Sequence, residues 1–435
     1  MNLSFKEKIE ISSFGSVPID QLANEFGTPL YVYDEAVIKA RIEDLKGIGV
    51  IRYAQKALPN LSILKLMREN NIVVDAVSAG EIYRAIKSGY RVELNDPYAI
   101  AGIVYTADIL DEDAIDLIRE HKIPVNVGSA NMISQLVELK LDVPIILRIN
   151  PGFGHGHSNK TNTGGELSKH GIWHEDLPMI LSEMEKANIK LYGLHMHIGS
   201  GTDMEHLLQV AKSMEKAVSI FVTIFKDYSG FKLISAGGGL PIPYLPGTER
   251  VDLTRYKDIW RSTQENIQNI LGGQKVSLEI EPGRYLVAES GIIITKVRAI
   301  KKMGSFLYYL VNAGFDTFVR PAMYGAYHYI SVCPADSSQQ PIMNRPISKA
   351  IVAGPLCESG DVFTQVDGGI VTTRDLPEAN VGDFIVLHDT GAYGSSMASQ
   401  YNSRLLAPEV LISNGVPKLI RRKQTLEEVV ILEEG

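Results

Sequence analysis

The chain has 435 residues, 45% hydrophobic and 22% charged, with a formal net charge of −8; this is globular composition, long enough for about two or three domains, and its acidity argues against sequence-independent nucleic-acid binding. Only two cysteines occur, Cys333 and Cys357, which favours a reducing cytoplasm over an oxidising compartment. No apolar run reaches the ~18 residues of a membrane span, and residues 1–14 lack the continuous apolar stretch of a signal peptide.

In chain order, residues 29–33 read as strand-like and 34–46 as a helix. Short apolar or β-branched runs then alternate with longer amphipathic stretches. Strand 50–56 precedes helix 61–70, 73–78 precedes 80–88, 103–106 precedes 108–121, and 124–129 precedes 130–139. Strand 145–150 leads to helix 175–187, 191–199 to 204–227, and 232–239 to 253–271, with 275–283 as the last strand. Most of these runs are nearly continuous hydrophobics, as expected of parallel strands buried on both faces. Eight such units predict an α/β fold of the (β/α)8 barrel type. An open doubly wound sheet is the alternative, but no dinucleotide fingerprint opens the first unit. After residue 290 the rhythm changes to short β-rich runs at 291–300, 306–312, 349–353 and 384–387, punctuated by Gly and Pro. The expected domains are therefore a barrel over 30–290 and a mainly β domain over 291–435, with residues 1–29 read as joined to the latter.

In a barrel, chemistry sits at the C-terminal ends of the strands. The first strand ends at Lys56, a lysine closing a buried run. Bulk water at the mouth can solvate it; the functional reading is an amine whose partial desolvation lowers its pKa for covalent attachment to a carbonyl. The sixth ends in His195-Met196-His197-Ile198-Gly199-Ser200-Gly201, and the seventh in Gly237-Gly238-Gly239. Consecutive glycines let backbone N–H groups approach an anion, although any tight turn also uses them. The eighth ends in Glu279-Ile280-Glu281-Pro282-Gly283-Arg284, which joins an acid, a turn and an arginine at one mouth. His155 and His157 in the glycine-rich loop 151–165 offer imidazoles, with His170, His195 and His197. No spacing matches a zinc pattern, so no metal is expected and the loop reads better as a flexible cover. The second domain carries Arg320-Pro321-Ala322-Met323-Tyr324, Cys357-Glu358-Ser359-Gly360-Asp361 and Gly391-Ala392-Tyr393. Each of these is open to a purely structural reading.

Together these segments, with Tyr53-Ala54-Gln55-Lys56-Ala57 and Gly27-Thr28-Pro29-Leu30, resemble the alanine-racemase-like, fold-type-III pyridoxal-phosphate decarboxylases, nearly throughout the chain and in family order. Many members have Asn directly after the Lys-Ala pair, where this chain has Leu58. The resemblance implies pyridoxal 5′-phosphate as cofactor and Lys56 as the residue that holds it. Glu281 corresponds to the carboxylate facing the ring nitrogen and His197 to the imidazole stacked on the ring. Ser200, Gly237, Gly238, Gly239, Gly283 and Arg284 correspond to the cofactor cradle. On the substrate side it implies meso-diaminopimelate, converted to L-lysine and CO2 in lysine biosynthesis. Arg284, Arg320 and Tyr324 resemble the carboxylate-binding set, Glu358 the acceptor for the distal ammonium, and Tyr393 a residue near both cofactor and substrate. Cys357 resembles the thiol that returns the proton. Cys357 and Glu358 are expected to come from the partner subunit of a cytoplasmic homodimer, and Lys169 to pair across it with Asp361. Decarboxylases of ornithine or arginine are the nearest rivals, but their substrates lack the distal carboxylate that Arg320 suits. A non-catalytic homologue would typically lack Lys56 or Cys357, and the Cys-Glu-Ser-Gly-Asp segment disfavours a racemase.

Overall fold

The structure, a computed structural model, describes residues 11–92, 101–154, 162–336 and 344–434. The chain divides into two compact units, one of Met1–Arg41, Pro243–Glu249 and Leu286–Gly435, the other of Ile42–Ile242 and Arg250–Tyr285. Strand β1 (Leu30–Asp34) belongs to the first unit.

The second unit is a closed barrel. Its strands are β2 (Val50–Ala54), β3 (Val73–Ala76), β4 (Ile103–Ala107), β5 (Val125–Val127), β6 (Ile145–Asn150), β7 (Leu191–Met196), β8 (Leu233–Ser235) and β9 (Ser277–Ile280). Each pairs in parallel with the next, and β9 pairs with β2 to close the ring. Helices follow the first seven strands at Leu61–Glu69, Ala79–Lys87, Glu112–His121, Ala130–Glu138, Leu177–Lys186, Met204–Ile224 and Leu253–Ile270, and the short helix Arg284–Val287 follows the eighth. Several begin where the side chain of a capping residue accepts an otherwise unpaired N–H: Asn60 from Ser62, Ser78 from Glu81, Asp203 from His206 and Asp252 from Arg255. The expected (β/α)8 fold is therefore observed. β8 stops at Ser235, short of the expected 239, because Gly237 and Gly239 take φ of +64° and +105°, outside the extended region of a strand.

Residues in register across parallel strands share a face. Thr106 is in register with Asn126, and Arg148, His195, Ser235 and Glu279 are in register in turn; Asp75 and Asn126 pair with Val104 and Ile146, each two residues before Thr106 and Arg148 on the same strand, so one inward face runs around the ring. The deeper part of this interior holds Arg52 and Glu279 in a two-pronged ion pair, with Nε to Oε2 at 2.8 Å and Nη2 to Oε1 at 2.6 Å. Arg52 Nη1 also donates to the carbonyls of Val74 and Ala101, both at 3.0 Å. The part nearer the C-terminal ends of the strands is polar on strand after strand: Asp75 on β3, Thr106 on β4, Asn126 on β5, Arg148 on β6, His195 on β7 and Ser235 on β8, all buried. Barrel interiors are ordinarily filled by branched aliphatics, and burying this many polar groups is costly unless they are put to use.

The other unit is mainly β. After β10 (Gly291–Met303) come β11 (Phe306–Val311), β12 (Ile330–Cys333), β13 (Ile347–Ala353), β14 (Arg374–Pro377), β15 (Phe384–Leu387), β16 (Glu409–Ser413) and β17 (Val416–Arg421). The long β10 pairs antiparallel with β1, β11 and β15 along its length. β1 also pairs in parallel with β16, so residues 258 positions apart (Tyr33 and Gly291) and 378 positions apart (Tyr31 and Glu409) build one sheet. Leu30, Val32, Ile292, Ile294, Val386, Val410 and Ile412 form its core with Ile19 and Leu22. Among the described residues no helix is long and apolar enough to cross a membrane.

The Arg52–Glu279 pair can be tested directly. Glu279→Leu leaves a buried guanidinium without its carboxylate and should cost about 3–5 kcal/mol, read as a lower urea unfolding midpoint. Arg52→Met combined with Glu279→Leu should recover most of that loss. A double variant as unstable as the single one would show that the charges are not what joins β2 to β9.

Candidate active site

The barrel mouth is built around Glu281, which directly follows β9. Its Oε2 accepts a 2.7 Å hydrogen bond from His195 Nε2, and Ser235 Oγ lies 3.4 Å from its Oε1. Burial alone pushes the Glu281 carboxyl up. The charge and hydrogen bond of His195 outweigh burial, with Arg52 adding to them, and hold it well below its ordinary value of 4.5. Asp75 goes the other way. Its burial and the nearby Glu281 charge raise its carboxyl, against Lys56 and a hydrogen bond with Thr106. Two neighbouring buried acids are thus driven apart, one kept ionised and one inclined to hold its proton.

His197 is half-buried. Burial and the charges of Arg148 and Lys56 push its imidazole well below the ordinary 6.5. Its Nδ1 accepts the Gly238 N–H at 3.2 Å, so a neutral ring carries its proton on Nε2. Around it the loops after β7 and β8 interlock. A Cβ on Gly237 would lie 2.3 Å from the Met196 carbonyl, and one on Gly238 would lie 2.6 Å from that of Glu281. Gly201 and Thr202 both donate to the Gly239 carbonyl, at 3.1 and 3.0 Å. Glycine is required here by close backbone approach, and the N–H groups of Gly237 and Gly238 are taken up by Ser235 and His197. Arg284, itself buried, donates from Nε and Nη2 to Ser200 Oγ at 3.1 and 2.9 Å. Lys56 sits in a single 3-10 turn, Gln55–Ala57, directly after β2. It is exposed, and its charge is felt by Asp75, Glu81 and His197.

The mainly β unit brings together a second group of candidates. Arg320 starts the short helix Arg320–Tyr324 and is 5% exposed. Its guanidinium lies 5.5, 5.8 and 5.9 Å from the ring centres of Tyr244, Tyr324 and Tyr393, within cation–π range. Tyr393 holds φ of +57°, a strained conformation for a residue with a side chain. Cys357 and Glu358 are exposed on the turn that ends at Asp361. Asp361 is buried, and its oxygens accept the N–H groups of Phe315 at 2.7 Å and Leu356 at 2.8 Å. The carboxylate expected to pair with Lys169 thus fastens the cysteine-bearing turn from within its own chain.

The structure therefore gathers Lys56, His197, Ser200, Gly237, Gly238, Gly239, Glu281, Gly283 and Arg284 in the barrel, and Arg320, Tyr324 and Tyr393 in the other unit. His155 and His157 of the glycine-rich loop lie outside the described residues. The loop's near flanks return to the strands: Thr163 donates to the Ile198 carbonyl and Gly165 to Asn150 Oδ1. Asp75, Asn126, Arg148 and the pairing of His195 with Glu281 were missed in the sequence. Their signal was a polar residue inside an apolar run, as in Val73-Val74-Asp75-Ala76, Val125-Asn126-Val127 and Ile146-Leu147-Arg148-Ile149.

The donor set suits pyridoxal phosphate. An ionised carboxylate matches a basic ring nitrogen, a neutral imidazole an aromatic face, and Ser200 with Arg284 a phosphate. Asp75 Oδ1, Asn126 Oδ1 and His195 Nδ1 are buried without a hydrogen-bond partner among the described residues, as expected where a polar ligand is to be met.

Comparison with known proteins agrees. The family signature described as "Pyridoxal-dependent decarboxylase, pyridoxal binding domain" matches residues 37–288. The diaminopimelate decarboxylase of Escherichia coli strain K12 is 51% identical over 413 residues, 95% of each chain. A crystal structure of diaminopimelate decarboxylase superposes with a TM-score of 0.89 at 51% identity, covering 95% of this chain and 96% of the other. That of the Helicobacter pylori enzyme complexed with L-lysine gives 0.80 at 31% identity, covering 95% and 99%.

The ionised state of Glu281 has a signature in stability. A carboxyl whose folded pKa lies below its unfolded value stabilises the fold above that unfolded value and loses the contribution as pH falls through the folded one. Glu281→Gln should therefore cost about 1–3 kcal/mol near neutral pH. The gap to wild type should close as the pH drops below the ordinary 4.5. Thermal melts without added cofactor across that range test this, and a gap that widens on acidification would contradict it.

Proposed function

This chain belongs to the pyridoxal-dependent decarboxylases, and on that premise we propose that it removes CO2 from meso-diaminopimelate to give L-lysine, with pyridoxal 5′-phosphate as cofactor. The observation that carries the reading is Glu281, buried at the barrel mouth and kept ionised by His195. When bound, the cofactor supplies a ring that accepts the electron pair left as the carboxylate departs.

The protein's own groups do the rest. Glu281 keeps a proton on the ring nitrogen, because an adjacent negative charge favours the cationic form. His195 holds Glu281 in orientation and in its charged state. Lys56 would hold the cofactor through its aldehyde. The neutral ring of His197 would offer an aromatic face to the cofactor ring. Ser200 and Arg284 take the phosphate together with the Gly237–Gly239 loop and Gly283. Arg284 and Tyr393 also serve the substrate side. Arg320 and Tyr324 bind the distal carboxylate, for which the fork of an arginine is suited, and Glu358 accepts from the distal ammonium. Cys357 delivers the proton that takes the place of CO2 on the α-carbon. The cofactor-binding domain is assigned to 30–290 and the β domain, joined by residues 1–29, to 291–435, with β1 and residues 243–249 contributing to the compact β unit. The working form is a cytoplasmic homodimer in which Cys357 and Glu358 act in the partner's site. The exposure of both residues and the scarcity of cysteine support these last assignments. A decarboxylase for ornithine or arginine is the second reading, and the buried Arg320 weighs against it.

Purified protein with the cofactor should release CO2 and L-lysine from meso-diaminopimelate, and Lys56→Ala and Cys357→Ala should each abolish it. Mixing the two variants tests the shared site. With random reassortment half the dimers are mixed and each keeps one intact site of two, so about one quarter of wild-type activity should return. Confirmed subunit exchange without recovery would place Cys357 at the site of its own chain.

A further inference from the structure

We propose that His328 is a positioning residue that orients Arg320 and thereby sets the preference for a carboxylate at the far end of the substrate; this rests on the reading of Arg320 given above. His328 lies just before β12, is 3% exposed, and belongs to none of the motifs. Its Nε2 lies 3.2 Å from Arg320 Nε, and its Nδ1 lies 2.9 Å from the His388 carbonyl oxygen. These partners decide its state. A guanidinium N–H can only donate, so Nε2 must present its lone pair; a carbonyl can only accept, so Nδ1 must carry the hydrogen. The ring is therefore neutral and held in one tautomer.

Its plane is fixed as well. Phe318 packs edge-on at 4.6 Å and 80°, and Tyr244 at 5.1 Å and 69°. The His388 side that holds Nδ1 is braced in turn, with His388 Nε2 2.7 Å from Ser331 Oγ. The hydrogen bond from Nε sets the rotation of the guanidinium about its stem. It engages the one nitrogen that an end-on, two-pronged grip on a carboxylate does not use, and directs that grip to Nη1 and Nη2. An imidazole does this without adding a negative charge beside the guanidinium. An aspartate or glutamate at the same position would supply the acceptor but compete with the substrate's carboxylate.

Two substitutions separate the two sides of the ring. The amide of His328→Asn can still donate to the His388 carbonyl but is too short to accept from Arg320. The longer amide of His328→Gln can place its oxygen where Nε2 was. On the holoenzyme, His328→Asn should raise KM for meso-diaminopimelate about tenfold, the scale of one hydrogen bond to a charged group, with kcat within about twofold. His328→Gln should stay within about threefold of wild type. Equilibrium binding of L-lysine, which keeps the distal carboxylate and lacks only the one lost as CO2, should weaken about tenfold in His328→Asn and stay within about threefold in His328→Gln, whereas binding of 1,5-diaminopentane, which has no carboxylate, should move less than about twofold in either variant. Acting only through Arg320, His328→Asn should add less than about twofold in an Arg320→Ala background; Arg320→Met serves if Arg320→Ala melts below the assay temperature. An equal KM penalty in that background, or a parallel loss of 1,5-diaminopentane binding, would make His328 a packing residue and overturn the proposal. If Arg320→Ala raises KM while His328→Asn does not, this inference alone falls. If Arg320→Ala leaves KM unchanged in a folded protein, the distal-carboxylate role of Arg320 falls, and this inference with it.

Discussion

A carboxylate inside a barrel remains charged only if something beside it compensates for lost water, and in this protein the 2.7 Å bond between His195 and Glu281 supplies that compensation. The surrounding polar layer follows from it. Arg148 and Arg52 bring positive charge to the interior, while Asp75 shares the region by tending to keep its proton. The arrangement separates the roles of two acids by environment rather than by residue type. It also explains why the barrel gives up aliphatic filling over its upper interior. The deeper Arg52–Glu279 pair, satisfied on both partners, joins the first strand to the last where the ring closes.

Backbone proximity is the second constraint. The loops after β7 and β8 touch so closely that a Cβ at Gly237 or Gly238 would overlap a carbonyl. Their own N–H groups hold His197 and lean on Ser235, so this cradle is rigid through internal bonds. A comparable economy appears in the mainly β unit. Asp361 grips two backbone N–H groups and so shapes the turn that displays Cys357 and Glu358. Arg320 is set among three tyrosine rings and a neutral histidine, contacts that orient a cation without cancelling it.

Much of this was legible beforehand. Continuous apolar runs separated by amphipathic stretches specified parallel strands and helices, and the residues closing those runs marked the mouth. The site motifs around Lys56, His197, Glu281 and Arg320 stood out because each puts a reactive side chain next to a turn. Asp75, Asn126 and Arg148 did not stand out, since one polar residue within an apolar strand shows its cost but not its partner. Lys56 was legible as the end of a buried run, where the chain leaves the core, and that position alone does not decide between a solvated and a desolvated amine.

What the sequence determined by itself was therefore periodic and local: strand and helix order, the change of rhythm after residue 290, the capping residues and the turn-forming glycines. Short-range sterics and the two-residue alternation of strands are written into neighbouring positions. The tertiary structure alone decided which distant groups meet. That Val50 follows Glu279 around the ring, that His195 reaches Glu281 86 positions later, and that His328 braces Arg320 depend on register, closure and side-chain direction. Those are settled only when all strands are packed together, because a hydrogen bond is made or lost over a few tenths of an ångström, and spacing along a chain does not carry that distance.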